Sequence, residues 1–104
     1  MIYSKEGKAE IQKRIDSDDW SVGGSYGEGW FFNLGTTIFS DPIEAKFVCI
    51  KDPNRARKAY IKYIKSIGYN EVDHDYIYLF EKDGEQYHLL QCGGTSRSKE
   101  YKVL

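Results

Sequence analysis

The sequence predicts an α+β domain in which two helices cover one face of a mainly antiparallel β-sheet. Two segments show helical periodicity, and several short segments rich in β-forming residues are separated by turn signals. Strands joined by short turns pair in an antiparallel manner, and helices packed on one side of such a sheet form a second layer. The chain has 104 residues, the size of one ordinary domain, so we expect a single domain over residues 1–104.

The first helix is expected over residues 4–16. Ser4 is a suitable N-cap for this helix, and Ile11 and Ile15 lie one turn apart on a common face. The acidic run that starts at Asp16 is expected to end the helix.

The second helix is the clearer of the two and is expected over residues 53–67. Asp52 can cap its first turn, Pro53 suits the first helical position, and Gly68 provides a left-handed exit. At about 100° per residue, its apolar side chains fall on one arc, which we expect to face the core. The arc consists of Ala56, Ala59, Tyr60, Tyr63, Ile64 and Ile67.

Strands are expected between the two helices. Residues 20–22 and 30–34 are rich in β-formers and flank a glycine-rich stretch over 23–29, which indicates a hairpin with a mobile tip. Residues 36–39 fit a further strand or a continuation of the preceding one. The apolar run at 46–51 fits a central strand.

A second hairpin is expected over residues 75–92, because Asp83 and Gly84 separate two alternating runs. Pairing Lys82 with Glu85 gives the hairpin two distinct faces. The tyrosine face carries Tyr76, Tyr78, Phe80, Tyr87 and Leu89, and the aliphatic face carries Ile77, Leu79, His88, Leu90 and Cys92. Residues 101–104 are expected to add an edge strand or to stay loosely attached.

The sequence leaves open which face of this hairpin the helices cover. If they cover the aliphatic face, the tyrosine face is exposed, and an exposed aromatic patch usually marks an interaction site. If they cover the tyrosine face, its rings belong to the core and His88 lies on the outside.

Charge is segregated along the chain, although the net charge is only −1. Residues 16–45 contain six acidic and no basic side chains, residues 46–70 contain seven basic and one acidic, and residues 71–85 contain six acidic and one basic. Four cations of the second helix share an arc opposite the apolar one: Arg55, Lys58, Lys62 and Lys65. Because no acidic residue lies between positions 53 and 70, nothing within the helix neutralises these cations.

The sequence favours no catalytic, cofactor or metal site. The glycine-rich stretch lacks the terminal Lys–Ser/Thr pair of a phosphate-binding loop. Cys49 and Cys92 have no spaced partners for a zinc site, and we expect reduced thiols in a cytoplasmic protein. His74 lies between Asp73 and Asp75, but neighbours in a strand point to opposite faces, which argues against a catalytic pair.

These patterns predict a small non-enzymatic protein-binding module, such as an inhibitor or modulator of a larger partner, encoded by a phage or another mobile element. The partner is another protein or a second copy of the chain, and no membrane contact is expected. Since Tyr26 and Glu28 lie between glycines, they are expected to stay outside the core. The expected contact residues are Arg55, Lys58, Lys62, Lys65, Tyr76, Tyr78, Tyr87, Tyr26 and Glu28.

Two alternative functions use the same residues or the two histidines. A nucleic-acid-binding domain would use the basic helix at 53–67, with tyrosines stacking on bases, but the sequence pI near 6.1 is far from the basic value typical of such domains. A small enzyme would use His74 and His88 together with nearby carboxylates or tyrosines.

Overall fold

The computed structural model describes residues 4–17, 29–36, 41–72, 78–92 and 100–104. Within these ranges the chain forms two helices, α1 (Lys5–Ser17) and α2 (Pro53–Ser66). The strands of the same ranges are β1 (Trp30–Gly35), β2 (Ile43–Val48), β3 (Asn70–Val72), β4 (Leu79–Lys82), β5 (Glu85–Cys92) and β6 (Lys102–Val103).

The strands form one sheet in the order β3-β4-β5-β1-β2-β6. Every pairing within the described part of the chain is antiparallel except that β6 runs parallel to β2. The predicted α+β class, with two helices and a mainly antiparallel sheet, is confirmed. The tail pairs as the predicted edge strand, and the apolar run predicted from residue 46 begins earlier, at Ile43.

Helix α1 begins at the predicted cap. The backbone N–H of Gly7 donates to the Ser4 hydroxyl oxygen at 3.1 Å, which satisfies a donor that the first turn leaves unpaired. Ile11 and Ile15 are buried, as their spacing predicted. The helix ends at Ser17, one residue after the predicted end.

Helix α2 is bounded by the signals that predicted it. The Asp52 carboxylate accepts from the backbone N–H of Asn54 at 2.9 Å, and Pro53 is the first helical residue. Gly68 leaves the helix with φ of +108°. The apolar arc faces the core. Buried there are Ala56, Tyr60 and Ile64, and half-buried against the core are Ala59, Tyr63 and Ile67.

The hairpin formed by β4 and β5 has the predicted register. Lys82 pairs with Glu85 and Leu79 with His88. The turn residue Asp83 has φ of +53°, and the following glycine also has positive φ, which is the combination that a type I′ hairpin turn requires.

The two helices contact opposite faces of the sheet, which corrects the prediction that both cover one face. Phe31 packs with Ile11 and Ile15 of α1, whereas the next residue, Phe32, packs with Tyr60 of α2. Neighbouring strand residues point to opposite faces, so the helices lie on opposite sides. The cause is β1, which is buried on both faces and therefore needs cover on both.

Helix α2 covers the tyrosine face of the hairpin. Phe80 of this face is fully buried in the α2 cluster, and Tyr87 and Leu89 are half-buried against it. His88 pairs with Leu79 and therefore lies on the other face, where it is half-buried. Of the two arrangements that the sequence left open, the structure has the one in which α2 covers this face at Phe80, Tyr87 and Leu89, whereas Tyr78 of the same face stays exposed.

Three further points concern the strands. The short edge strand β3 was not predicted, because three residues show no alternation that a pattern can reveal. The strand predicted at 20–22 lies outside the described residues, and β1 has its neighbours in β2 and β5. Of the strand predicted at 36–39, only Thr36 is described, and it forms a bend.

The outer edge of β6 is covered by one side chain of α1. The Gln12 carboxamide oxygen accepts from the backbone N–H of Val103 at 2.6 Å, and its nitrogen donates to the Tyr101 carbonyl oxygen at 3.2 Å. The same nitrogen also donates to Asp16 at 3.0 Å. Gln12 thus replaces the missing neighbouring strand and blunts the edge.

We expect Gln12→Ala to lower the free energy of unfolding by about 1–3 kcal/mol, because it leaves two partly buried backbone groups without partners. Urea unfolding followed by circular dichroism measures the loss. The matched control is Gln86→Ala at an exposed position of β5, which should change stability by about 0.5 kcal/mol or less. Equal losses in the two variants would contradict the role given to Gln12.

Candidate binding surface on the second helix

The amphipathic pattern of α2 places its cations on the side away from the sheet. Because the apolar arc is buried, the opposite arc faces solvent. Arg55, Lys58, Lys62 and Lys65 are all exposed there. The four cations that helical periodicity grouped together therefore form one stripe on the solvent-facing side of α2.

One of these four cations has an acidic partner. The Lys65 ammonium lies 2.9 Å from a carboxylate oxygen of Glu71, and the two side chains are 50% and 42% exposed. An exposed pair of this kind contributes about 1 kcal/mol or less, but it neutralises the C-terminal end of the stripe. The partner of Lys65 lies outside the helix, in the unpredicted strand β3, so the absence of acidic residues within α2 did not reveal it.

The other three cations define what we call the cationic face: Arg55, Lys58 and Lys62. Among the residues that the structure describes, no carboxylate lies within ion-pair distance of any of them. The first turn of α2 contains no acidic residue, so the positive end of the helix dipole adds to the charge of Arg55. The N-cap carboxylate of Asp52 lies at the same end of the helix and offsets part of this charge.

An exposed aromatic ring contacts Arg57, which projects from a different side of α2 than the cationic face. Tyr78 is 43% exposed, more than any other large hydrophobic side chain in the described ranges. The Arg57 guanidinium lies over this ring, 5.1 Å from its centroid, and also donates to the Asn54 side-chain oxygen at 2.8 Å. These contacts fix the orientation of Arg57, a residue that sequence analysis missed because it lies at the border of the apolar arc.

Two more cations on the α2 side of the sheet lie over tyrosine rings. Lys46 lies 5.2 Å from the ring centroid of Tyr63, and Lys82 lies 4.9 Å from that of Tyr69. Burial raises the pKa of both tyrosines, and the nearby Glu44 carboxylate raises it further. The rings therefore stay neutral, and the Tyr63 hydroxyl donates to Glu44 at 3.3 Å. The first contact joins α2 to β2, and the second joins the segment after α2 to β4.

The remaining predicted contact residues lie elsewhere. Tyr87 is half-buried and packs edge-on against Tyr69, with ring centroids 5.6 Å apart, so its ring belongs to the core. Tyr26, Glu28 and Tyr76 lie outside the described residues.

No group of three or more His, Cys, Asp or Glu side chains in the described ranges could hold a metal ion. A small groove beside the end of β2 is mostly apolar, with Lys8 as its one charged lining residue, so it contains no acid–base pair. His74 lies outside the described residues, so an enzyme using His74 and His88 stays a prediction.

Comparisons with known protein families, with characterised proteins and with solved structures gave no match. In the described part of the chain, neither helix has the length and apolar character needed to cross a bilayer. The case for a function therefore depends on the surface of α2 alone.

Proposed function

We propose that this protein is a non-enzymatic binding module whose cationic face docks against an acidic surface of a partner protein. The observation that carries the proposal is the exposure of Arg55, Lys58 and Lys62 without a described carboxylate in ion-pair distance. Like charges three or four positions apart on a helix destabilise it by a few tenths of a kcal/mol per pair. Carboxylates of a partner would remove this repulsion on binding.

Charge favours a protein partner over a nucleic acid. A protein that binds duplex DNA commonly neutralises about 6–10 phosphates, whereas the cationic face offers three cations. Asp52 and Glu71 lie at the two ends of the stripe, and the whole chain carries a net charge of −1. A rigid nucleic-acid duplex would meet these negative charges along its length, whereas a flexible acidic polypeptide can contact the three cations without reaching them.

The small free energy of each exposed ion pair suits the reversible binding of a modulator or inhibitor. Each exposed pair contributes about 0.2–1 kcal/mol, so three pairs orient the partner and accelerate association more than they tighten it. Such binding weakens with added salt, because screening shortens the reach of exposed charges.

We expect the protein to bind poly-L-glutamate at low ionic strength and to release it at high ionic strength. The double variant Lys58→Glu, Lys62→Glu should bind about tenfold more weakly or worse, because two attractions become repulsions. The matched control is Lys5→Glu, Lys13→Glu, which makes the same substitutions at exposed positions of α1. Fluorescence anisotropy with a labelled polymer measures all three affinities.

Equal losses in the two double variants would mean that the polymer responds to overall charge, which would contradict docking at the cationic face. A labelled single-stranded DNA of matched charge provides a second arm. If the wild type binds this DNA more tightly than polyglutamate and the α2 variant loses the difference, nucleic acid is the partner and the protein-binding proposal fails.

A further inference from the structure

A small apolar groove lies where the two helices reach the end of β2 from opposite faces of the sheet. Lys8 belongs to α1, Ala59 to α2 and Val48 to β2, whereas Leu104 follows β6. The complete lining is Lys8, Val48, Cys49, Ile50, Ala59 and Leu104. Because the lining is almost entirely apolar, burying an apolar side chain in the groove is favourable.

Helix geometry places Ala59 beside two members of the cationic face. Arg55 lies four positions before Ala59 and Lys62 three positions after it. Both are therefore its neighbours on the surface of α2, about 40° and about 60° away around the helix axis. Helical side chains lean towards the N-terminus, so Lys62 leans over the turn that contains Ala59. The groove and the cationic face are thus adjacent surfaces.

The charges that border the groove have one sign. Lys8 contributes a third cation, from α1, to those of Arg55 and Lys62. In the described ranges no carboxylate lies within ion-pair distance of these three side chains. A segment whose apolar side chain enters the groove therefore meets positive charge from both helices, which favours a segment rich in carboxylates.

The volume of the groove limits the side chain that it accepts. It is about 120 Å³, less than the roughly 150 Å³ of an apolar cavity that holds one benzene molecule. A branched aliphatic side chain such as that of leucine fits this volume, whereas the double ring of tryptophan exceeds it.

From these observations, and resting on the function proposed above, we infer that the acidic segment of the partner also carries one aliphatic side chain, which inserts into the groove. The carboxylates of the segment lie along the cationic face. Exposed ion pairs contribute little affinity, so the buried aliphatic side chain provides affinity and the carboxylates provide orientation.

The test uses a set of short labelled peptides of glutamate and glycine with equal charge and length. They differ only in the central residue, which is leucine, alanine or tryptophan. At low ionic strength the wild type should bind the leucine peptide about five- to tenfold more tightly than the alanine peptide. The tryptophan peptide should bind no more tightly than the alanine peptide, because its side chain exceeds the groove. Fluorescence anisotropy measures the affinities.

Two substitutions and one direct measurement assign this preference to the groove. Ala59→Leu fills the groove and should abolish the preference while leaving the affinity for the alanine peptide within about twofold of wild type. The matched control is Ala9→Leu at an exposed position of α1 outside the groove, which should keep the preference. Circular dichroism and urea unfolding verify that both variants are folded. Amide NMR of the unaltered protein needs no variant: the leucine peptide should shift Ile50 and Leu104, and the alanine peptide should not.

The outcomes separate this inference from the proposed function. If the wild type binds all these peptides through α2 with equal affinity, the inference is overturned and the proposed function stands. A preference that persists in Ala59→Leu, or tighter binding of the tryptophan peptide than of the leucine peptide, also overturns it. So does displacement of the leucine peptide by an equal concentration of hexanoate, which would make a small apolar carboxylate the occupant. If no acidic peptide binds at low ionic strength, both the inference and the proposed function fail.

Discussion

Replacing Tyr60 with alanine is expected to lower the free energy of unfolding by about 3–5 kcal/mol, a large part of the stability of an ordinary small domain. Tyr60 is fully buried between α2 and the sheet, and its ring stacks on Phe32 with centroids 5.2 Å apart and planes 18° apart. Truncation removes this apolar surface and leaves a cavity that the surrounding strands cannot fill completely. Urea unfolding of the variant at neutral pH measures the loss.

Tyr60→Phe provides the control, because it keeps the ring and removes the hydroxyl. The hydroxyl donates to the Glu44 carbonyl oxygen at 2.8 Å, at the point where Glu44 adopts φ of +51° and the β1–β2 register shifts. Burial first, and then the Glu44 carboxylate, raise the pKa of Tyr60, so the hydroxyl remains a donor. We expect a loss of about 1–2 kcal/mol. Equal losses for alanine and phenylalanine would contradict the packing described for this ring.

The second large effect is expected for Gly29→Ala, which should destabilise the protein by about 2–3 kcal/mol or more. A β-carbon at Gly29 would overlap the carbonyl oxygen of Val48 and lie 2.9 Å from the ring of Phe47. The carbonyl is backbone of the adjacent strand, so it cannot move without disturbing the pairing of Trp30 with Val48. Thermal and urea unfolding measure the change.

Gly84→Ala separates crowding from backbone conformation. Gly84 has φ of +82°, and a β-carbon there would meet nothing within 4 Å. Its substitution should therefore have only the left-handed penalty of about 1 kcal/mol. A larger loss at Gly84 than at Gly29 would show that the close approach at Gly29 does not limit stability.

Local sequence signals were enough to predict most of the helices, strands and turns. They were not enough to predict on which side of the sheet each helix lies. The cap at Asp52, the exit at Gly68 and the Asp83–Gly84 turn each act within a few residues, and each lies where it was predicted. Which face a helix covers depends on contacts between distant segments. Phe31 and Phe32 did provide one signal, because consecutive apolar residues in a strand indicate burial on both faces.

The candidate binding surface was predicted only in part, because some of its contacts join distant segments of the chain. Helical periodicity was enough to group the exposed cations of α2, since they belong to one element. The pairing of Lys65 with Glu71 depends on the three-residue strand β3, which no pattern reveals. The stacking of Arg57 on Tyr78 joins the border of α2 to the start of β4, a contact that only the folded chain defines.

Backbone amide NMR shifts during a polyglutamate titration test most directly whether the cationic face is the binding surface. We predict that the shifts concentrate at Arg55, Lys58 and Lys62 and disappear when salt is added. Largest shifts on α1 or β6, or no shifts along α2 at saturating polymer, would contradict the assignment of α2 as the docking helix.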